Sequence, residues 1–348
     1  MKPFASASLA EAGVFAVRQT LRRIIREFED DPNTAVRQTI DAETKKRAID
    51  VDLIADREFA TQFRHYDGGR YAGVIVTGEE RPGDSLNGPF GTYVLVDALD
   101  GSDLAERGLA NWCSAVVFFE VTGSTAKIRA AVVGMPPNHI YFATDDDPRV
   151  RVYRNLPDLE GQILANLALD PEEVTGLPSE RTLSDGSLYF YGQKVSRLLE
   201  IARRPLLGQV GNQEFENLRI YNLGGIPMLV RMCDHQIKRA RGVDAVFELS
   251  GQRPYDVVPG LFFALKLGAT VLDLAHPQPT PLRLRISNTL CCSREEFSCD
   301  TWLRRMSDWL TSYFQSSGRR ISEFVRSERS PRRCQSYNAL IVGLSNWT

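Results

Sequence analysis

The sequence predicts an α+β fold, and three observations carry that expectation. Near the start, Val14, Val17, Leu21, Ile24, Ile25 and Phe28 recur at helical spacing. Further on, Tyr93-Val94-Leu95-Val96-Asp97-Ala98-Leu99-Asp100-Gly101-Ser102 reads as a buried strand that delivers two carboxylates, a glycine and a hydroxyl at its C-terminal end. Behind it, Ala115 to Phe119, Ile128 to Val133 and Ile140 to Ala143 are further apolar runs with the spacing of a meander.

Taken in order, the first helix runs from Ser8 to about Phe28, with Ser8-Leu9-Ala10-Glu11 as a capping box and Asp31-Pro32-Asn33 as its end. A second helical pattern opens within Arg47 to Asp56 and continues through Phe59 and Phe63; acids at its start suit the positive end of the helix dipole. Val74 to Gly78 is a short strand that runs into Glu79 and Glu80, and a turn-rich loop follows. Asp145 to Asp147, ahead of Pro148, read as a solvated turn. The polar stretch 151–186 is the expected connection between two subdomains. Beyond it come a strand at Leu188 to Tyr191, a helix with Val195, Leu198, Leu199 and Ile201 inward, and a strand at Leu218 to Tyr221. The Gly224-Gly225 turn then leads into a helix from Ile226 to about His235, and Val243 to Glu248 form a strand. A helix from Val257 is apolar nearly all round and therefore buried, with Asp256 at its N-cap and Pro259 in its first turn. Leu282 to Ile286 reads as a strand, Trp302 to Phe314 as a helix. This gives an N-terminal α+β subdomain over 1–150, an αβ subdomain over 187–315 and a basic, serine-punctuated tail over 316–348, read as solvated.

The 348 residues, 43% hydrophobic and 25% charged, are enough for one large or two coupled domains. A net charge of −2 argues against a protein built to coat nucleic acid or an acidic membrane surface. The N-terminus lacks the apolar core of a signal peptide and no run approaches a membrane span, so a soluble cytoplasmic protein is expected. Six scattered cysteines without a Cys-x-x-Cys pair read as reduced thiols rather than a zinc site.

The stretch ending at Ser102 carries the chemistry. Asp100-Gly101 is a turn signal, so the chain can curl and bring Asp97, Asp100 and the Leu99 carbonyl around one point. Three hard oxygen donors suit Mg²⁺. Ser102 and the amides after Gly101 would open a following helix, where unpaired N–H groups favour an anion. A divalent cation beside an anion cradle is what phosphoryl chemistry needs. The plainer alternative is a strand followed by an Asp-Gly turn with solvated carboxylates.

These residues resemble the inositol monophosphatase and fructose-1,6-bisphosphatase superfamily, whose signature is Asp-Pro-(Ile/Leu)-Asp-Gly-(Thr/Ser). Ala98 stands where that family has proline, and Ser102 keeps the hydroxyl. A second signature, Trp-Asp, eleven residues, then Gly-Gly, is matched by Tyr255-Asp256 and, eleven residues on, Gly268-Ala269. The family's Gly-Glu-Glu segment is matched by Gly78-Glu79-Glu80. The resemblance spans roughly residues 8 to 315 and implies a layered helix-sheet-helix sandwich of two coupled αβ subdomains, sugar-phosphatase-like.

It also implies roles. Glu79, Asp97, Asp100, Asp256 and the Leu99 carbonyl would hold two or more Mg²⁺ ions; Glu79 and Ser102 would orient water; Asp52, with Asp56 four residues on and Asp50 as its rival, would stand behind them. The amides of Gly101 and Ser102 would hold the phosphate, and Gly224, Gly225 and Glu248 would shape the substrate pocket, with Glu248 one residue further from Asp256 than is usual. The implied activity is Mg²⁺-dependent hydrolysis of a small phosphate monoester, most like that of an inositol monophosphatase, with lithium sensitivity. Sugar bisphosphates and 3′-phosphoadenosine 5′-phosphate are the alternative substrates. The changes at Ala98, Tyr255 and Ala269 keep open a non-catalytic binding or assembly module, and the resemblance allows a homodimer.

Overall fold

A computed structural model describes residues 4–35, 37–40, 47–80, 91–122, 125–154, 156, 170–174, 187–191, 219–221, 225–234, 245–248, 254–267, 269–273, 284–285 and 340–344. The helices are α1 (Ser6–Asp30), α2 (Pro32–Ala35), α3 (Asp50–Gly69), α4 (Ser102–Ala105), α5 (Gly225–Cys233) and α6 (Pro254–Lys266). The strands of the N-terminal half are β1 (Gln38–Ile40), β2 (Arg47–Ile49), β3 (Ile75–Gly78), β4 (Gly91–Asp100), β5 (Cys113–Thr122), β6 (Thr125–Met135), β7 (His139–Thr144), β8 (Val150–Arg154) and β9 (Glu172–Glu173). Those of the C-terminal half are β10 (Ser187–Tyr191), β11 (Arg219–Tyr221), β12 (Ala245–Glu248), β13 (Ala269–Asp273), β14 (Leu284–Arg285) and β15 (Leu340–Leu344).

The chain folds as two compact units that do not follow chain order. The first comprises Met1–Val174, Pro254–Lys266 and Leu282–Cys291; the second comprises Thr175–Arg253, Leu267–Pro281 and Cys292–Thr348. The expected division at residue 150 is therefore displaced. β8 and β9, inside the stretch read as a connection, extend the first sheet, and α6 returns from the far half of the chain to join it. Local polarity hid β8 because it lies near the sheet margin, where Val150 and Val152 are buried and Arg151, Tyr153 and Arg154 only partly so.

In the first unit the strands run β3-β4-β5-β6-β7-β8-β9, with β14 paired to β6. β3 is parallel to β4, and the remaining neighbours are antiparallel, the expected meander. Strand alternation divides the side chains between two faces. Val94, Val96, Val116, Phe118, Ala130, Val132 and Ile140 pack with Val14, Val17, Leu21 and Ile24 of α1 and Phe59 and Phe63 of α3 in one apolar cluster. Each such large side chain contributes roughly 1.5–3 kcal/mol on burial. The opposite face carries Tyr93, Leu95, Asp97, Ala115, Val117, Phe119, Ala131, Val133 and Tyr141, all buried. α6 packs against β4 to β7, and its buried Val258, Phe263 and Ala264 stand outside the first cluster, which puts the helix on this second face. The result is helix, sheet, helix.

Three local expectations are corrected. α1 starts at Ser6 without a side-chain cap; Ser8 and Glu11 instead make tertiary contacts, Ser8 Oγ with the Tyr71 hydroxyl at 3.0 Å and Glu11 as acceptor from the Tyr66 hydroxyl at 2.6 Å. Asp256 is not an N-cap, because α6 begins two residues earlier at Pro254, and Pro259 falls in its interior. The 316–348 stretch is not simply a solvated tail: Leu340-Ile341-Val342-Gly343-Leu344 is a strand in the second unit's sheet, whose order is β11-β10-β12-β15-β13. β10 is parallel to β11 and β12, and β15 is antiparallel to β12 and β13. The arginines of this stretch overshadow its short continuous apolar run.

The helix expected around Val195 to Ile201, the turn at Gly224 and the helix expected over Trp302 to Phe314 lie outside the described residues. Among the described residues, no helix is long and apolar enough to cross a membrane.

Candidate metal centre

β4 is the element on which the centre is built. Its register with β5 shifts between Asp97, opposite Ala115, and Asp100, opposite Cys113, so the strand is irregular where the carboxylates emerge. Asp97 shares the second face with Leu95 and points to the side covered by α6; it is 2% exposed. Asp100 is also buried, and the Cys113 thiol donates to its Oδ2 at 3.9 Å.

β3 delivers Glu79. Gly78 pairs with Val96, and the Glu79 N–H donates to the Val96 carbonyl at 3.3 Å, which sets Glu79 beside Asp97. A Cβ at residue 78 would collide with the Val96 carbonyl oxygen, so only glycine permits this approach. α6 delivers Asp256 in its first turn, where a carboxylate is favoured by the helix dipole.

The outcome is a group of three carboxylates, Glu79, Asp97 and Asp256, with one oxygen from each lying within 4.8 Å of the others. Asp52, Asp56, Glu79, Glu80, Asp97 and Leu99 line the adjoining cleft with Val96 and Ala98, and no cationic residue is among them. Burial raises the Asp97 carboxyl well above its ordinary range, and the charges of Asp100, Glu79, Asp256 and Asp52 raise it further. Carboxylate oxygens gathered at one point repel one another and are well suited to a hard cation. The donor set therefore fits Mg²⁺.

Of the residues singled out from sequence, Glu79, Asp97 and Asp256 converge, Leu99 lines the cleft, and Asp100 is close enough to act on Asp97 electrostatically. Asp52 has two tasks: it lines the cleft, and its Oδ2 accepts the Ile49 N–H at 3.2 Å, closing the start of α3. The helix-start reading holds for it, and its place in the cleft leaves it next to the converging acids. Asp56, 6% exposed, and Glu80 belong to the same cleft and were named in the sequence only as neighbours. Cys113 carries no sequence signal for this place, since only strand pairing sets it opposite Asp100.

Gly101 takes the left-handed conformation, φ +86°, and a Cβ there would lie 2.8 Å from the Asn111 carbonyl oxygen, so glycine is required twice over. The helix that follows, α4, is a single turn, Ser102–Ala105. The helix expected to open at Ser102 is present, and because it is so short an anion at this turn would meet local N–H groups rather than the dipole of a long helix. Gly225 opens α5 with φ +74°, and Glu248 closes β12; both belong to the second unit.

No family model matches this sequence, and no curated protein does. Solved structures do. An inositol monophosphatase from Staphylococcus aureus aligns over 97% of this chain and 91% of its own at 14% identity, with a TM-score of 0.54. CysQ from Bacteroides thetaiotaomicron, a bacterial member of the inositol monophosphatase family, aligns over 81% and 94% at 17% identity, TM-score 0.55. A Pyrococcus horikoshii protein with similarities to inositol-1 monophosphatase aligns over 82% and 91% at 20% identity, TM-score 0.50. The S. aureus protein has been solved with inositol monophosphate and with 2′AMP bound. With the sheet, the flanking helices and these alignments together, the chain has the fold of the inositol monophosphatase family.

Proposed function

We propose that the protein is a Mg²⁺-dependent phosphomonoesterase acting on a small phosphorylated polyol, most like an inositol monophosphatase. The convergence of Glu79, Asp97 and Asp256 from β3, β4 and α6 is the observation that carries this reading. Segments far apart in sequence deliver acids to one point, a costly arrangement unless a cation joins them.

Glu79, Asp97, Asp100, Asp256 and the Leu99 carbonyl are the proposed ligands. A divalent cation held there supplies charge neutralisation and makes water a stronger acid. The chain's own groups do the rest. The Ser102 hydroxyl and the Glu79 carboxylate orient the attacking water, and Asp52 fixes the entry of α3 while adding negative charge behind them. The N–H groups of Gly101 and Ser102 receive the phosphate oxygens at the tight turn, ahead of the first helical donors of α4, Leu104 and Ala105. Phosphate monoesters hydrolyse extremely slowly unaided, so preorganised groups of this kind carry the rate. Gly225 and Glu248 are proposed for the polyol.

The test is phosphate release, with and without Mg²⁺, from inositol monophosphates, fructose 1,6-bisphosphate, 2′AMP and 3′-phosphoadenosine 5′-phosphate. Release from inositol monophosphates above the others supports the reading, and preference for another substrate moves it to that branch. Absence of both release and Mg²⁺ binding would leave a non-catalytic module.

A further inference from the structure

Arg18 stands apart from three other partly buried arginines of the first unit, Arg129, Arg151 and Arg154. Arg129 meets Glu120 at 2.5 Å and Asp145 at 3.4 Å, Arg151 meets Asp147 at 2.8 Å, and Arg154 meets Glu172 at 3.1 Å. Arg18 is 8% exposed and meets no carboxylate among the described residues. Its hydrogen bond is from Nε to the Leu156 carbonyl at 3.3 Å. The Asn138 Nδ2 donates to the same carbonyl at 2.6 Å, so the turn between β6 and β7 and Leu156, two residues beyond β8, meet the guanidinium at one point. Arg22, one helical turn on, adds positive charge. Burial first, and Arg22 second, lower the Arg18 guanidinium from the usual arginine range to about 10.

A guanidinium has five N–H donors, and a neutral carbonyl uses one. The Nη pair is a planar fork whose geometry matches an oxyanion. Beside it, Asn138 Oδ1 is a buried acceptor without a hydrogen-bond partner. Donors next to an acceptor suit an oxyanion that still carries a proton. We propose that Arg18, Arg22 and Asn138 form a binding site for a hydrogen-phosphate group, either free phosphate or the phosphoryl group of a monoester. The site draws on α1 and the β6–β7 turn, neither of which supplies a carboxylate to the metal centre, so it stands or falls independently of the proposed activity. The contrary explanation is that the Arg18 stem is buried for packing while its head reaches water; anions would then have no specific effect.

Thermal unfolding of the full chain in EDTA, with inorganic phosphate against sodium chloride at equal ionic strength, separates the two. Phosphate is expected to raise the midpoint of the wild type and of Asp97→Asn alike, and Arg18→Met is expected to weaken its effect at least ~10-fold in concentration. No gain over chloride, or the same gain in Arg18→Met, overturns the site. Should Arg18→Met not fold, Arg22→Gln provides the second variant: the phosphate concentration for half the effect should rise about 3-fold or more, and an unchanged value overturns the proposal. Repeating the titration with inositol monophosphate in place of phosphate tells a monoester site from a site for the free ion.

Discussion

Two groups of carboxylates in the first unit are made of the same residue types and end in opposite electrostatic states. At the β7–β8 turn, Asp145 accepts the Ser6 hydroxyl at 2.6 Å and lies 3.4 Å from Arg129, while Asp147 meets Arg149 at 2.9 Å and Arg151 at 2.8 Å. Lys266, at the end of α6, donates to the Asp147 carbonyl at 2.5 Å. Hydrogen bonds from Arg149 hold the Asp147 carboxyl well below its usual range. At the C-terminal end of β4, Asp97 is buried among other acids and pushed the other way. One group has its cations built in. The other gathers acids from β3, β4 and α6 at one point, so one helix, α6, has its basic end at the arginine-bonded turn and its acidic end at the carboxylate group.

The sharpest way to break this contrast is to remove one acid from each group. Asp97→Asn should cut Mg²⁺-dependent phosphate release by on the order of 10³-fold, whereas Asp147→Asn should leave it within about twofold. Equal losses would mean that the two groups do not differ in function. Next in size is the response to the cation itself. At 100 times its dissociation constant, Mg²⁺ should stabilise the wild type by about 2.7 kcal/mol over the same protein in EDTA. Asp256→Asn, which takes away the proposed ligand on α6, should lose most of that gain. Thermal unfolding with and without Mg²⁺ reads both, and an undiminished gain in Asp256→Asn would remove α6 from the centre.

Much of this contrast was legible in the sequence. The apolar run ending at Asp97 and Asp100 announced a buried strand with polar cargo, and β4 is that strand. Glu79 and Asp256 were different, since nothing local distinguishes either from a loop acid or a helix-start acid; only the resemblance linked them to Asp97, and only the fold puts their oxygens together. The Asp145–Asp147 turn is the expected one, but its contacts with Ser6, Arg129 and Lys266 are distant in sequence, and pattern reading sees only near neighbours such as Arg149 and Arg151. β15 was missed for the complementary reason: a five-residue apolar strand is a weak signal beside many arginines. Likewise, Arg18 occupies the apolar face of an amphipathic helix, where sequence alone gives a long basic side chain no reason to be inside.

A smaller expected effect concerns pH. Without Mg²⁺, the folded-state pKa of Asp97 lies above its unfolded value near 3.8. Between those two values the folded protein binds more protons than the unfolded chain, so this group's contribution to stability is greatest at the acid end and falls as pH rises through the window. Metal-free Asp97→Asn should lack that slope and, at neutral pH, unfold a few degrees above the metal-free wild type. Mg²⁺ should act against the trend, since binding requires the ionised carboxylate and strengthens as pH rises. Parallel pH curves for the two proteins in EDTA would show that Asp97 is not strained when metal-free.

The smallest effect is expected at Asp147, and there the sign is opposite. Its folded-state pKa is depressed, so its contribution is present above the unfolded value and is lost as pH falls through the window below it. Its partner Arg149 is exposed, and exposed pairs are screened, so Asp147→Asn should lower the unfolding midpoint at neutral pH by only about 1–2 °C, and less in high salt. The informative quantity is the direction of the pH dependence rather than its size. If both acids follow the same slope in EDTA, burial without a cation has no distinct consequence at the β4 end. If the slopes oppose, the two clusters differ as their surroundings require, and the cost at Asp97 is the one that a bound cation relieves.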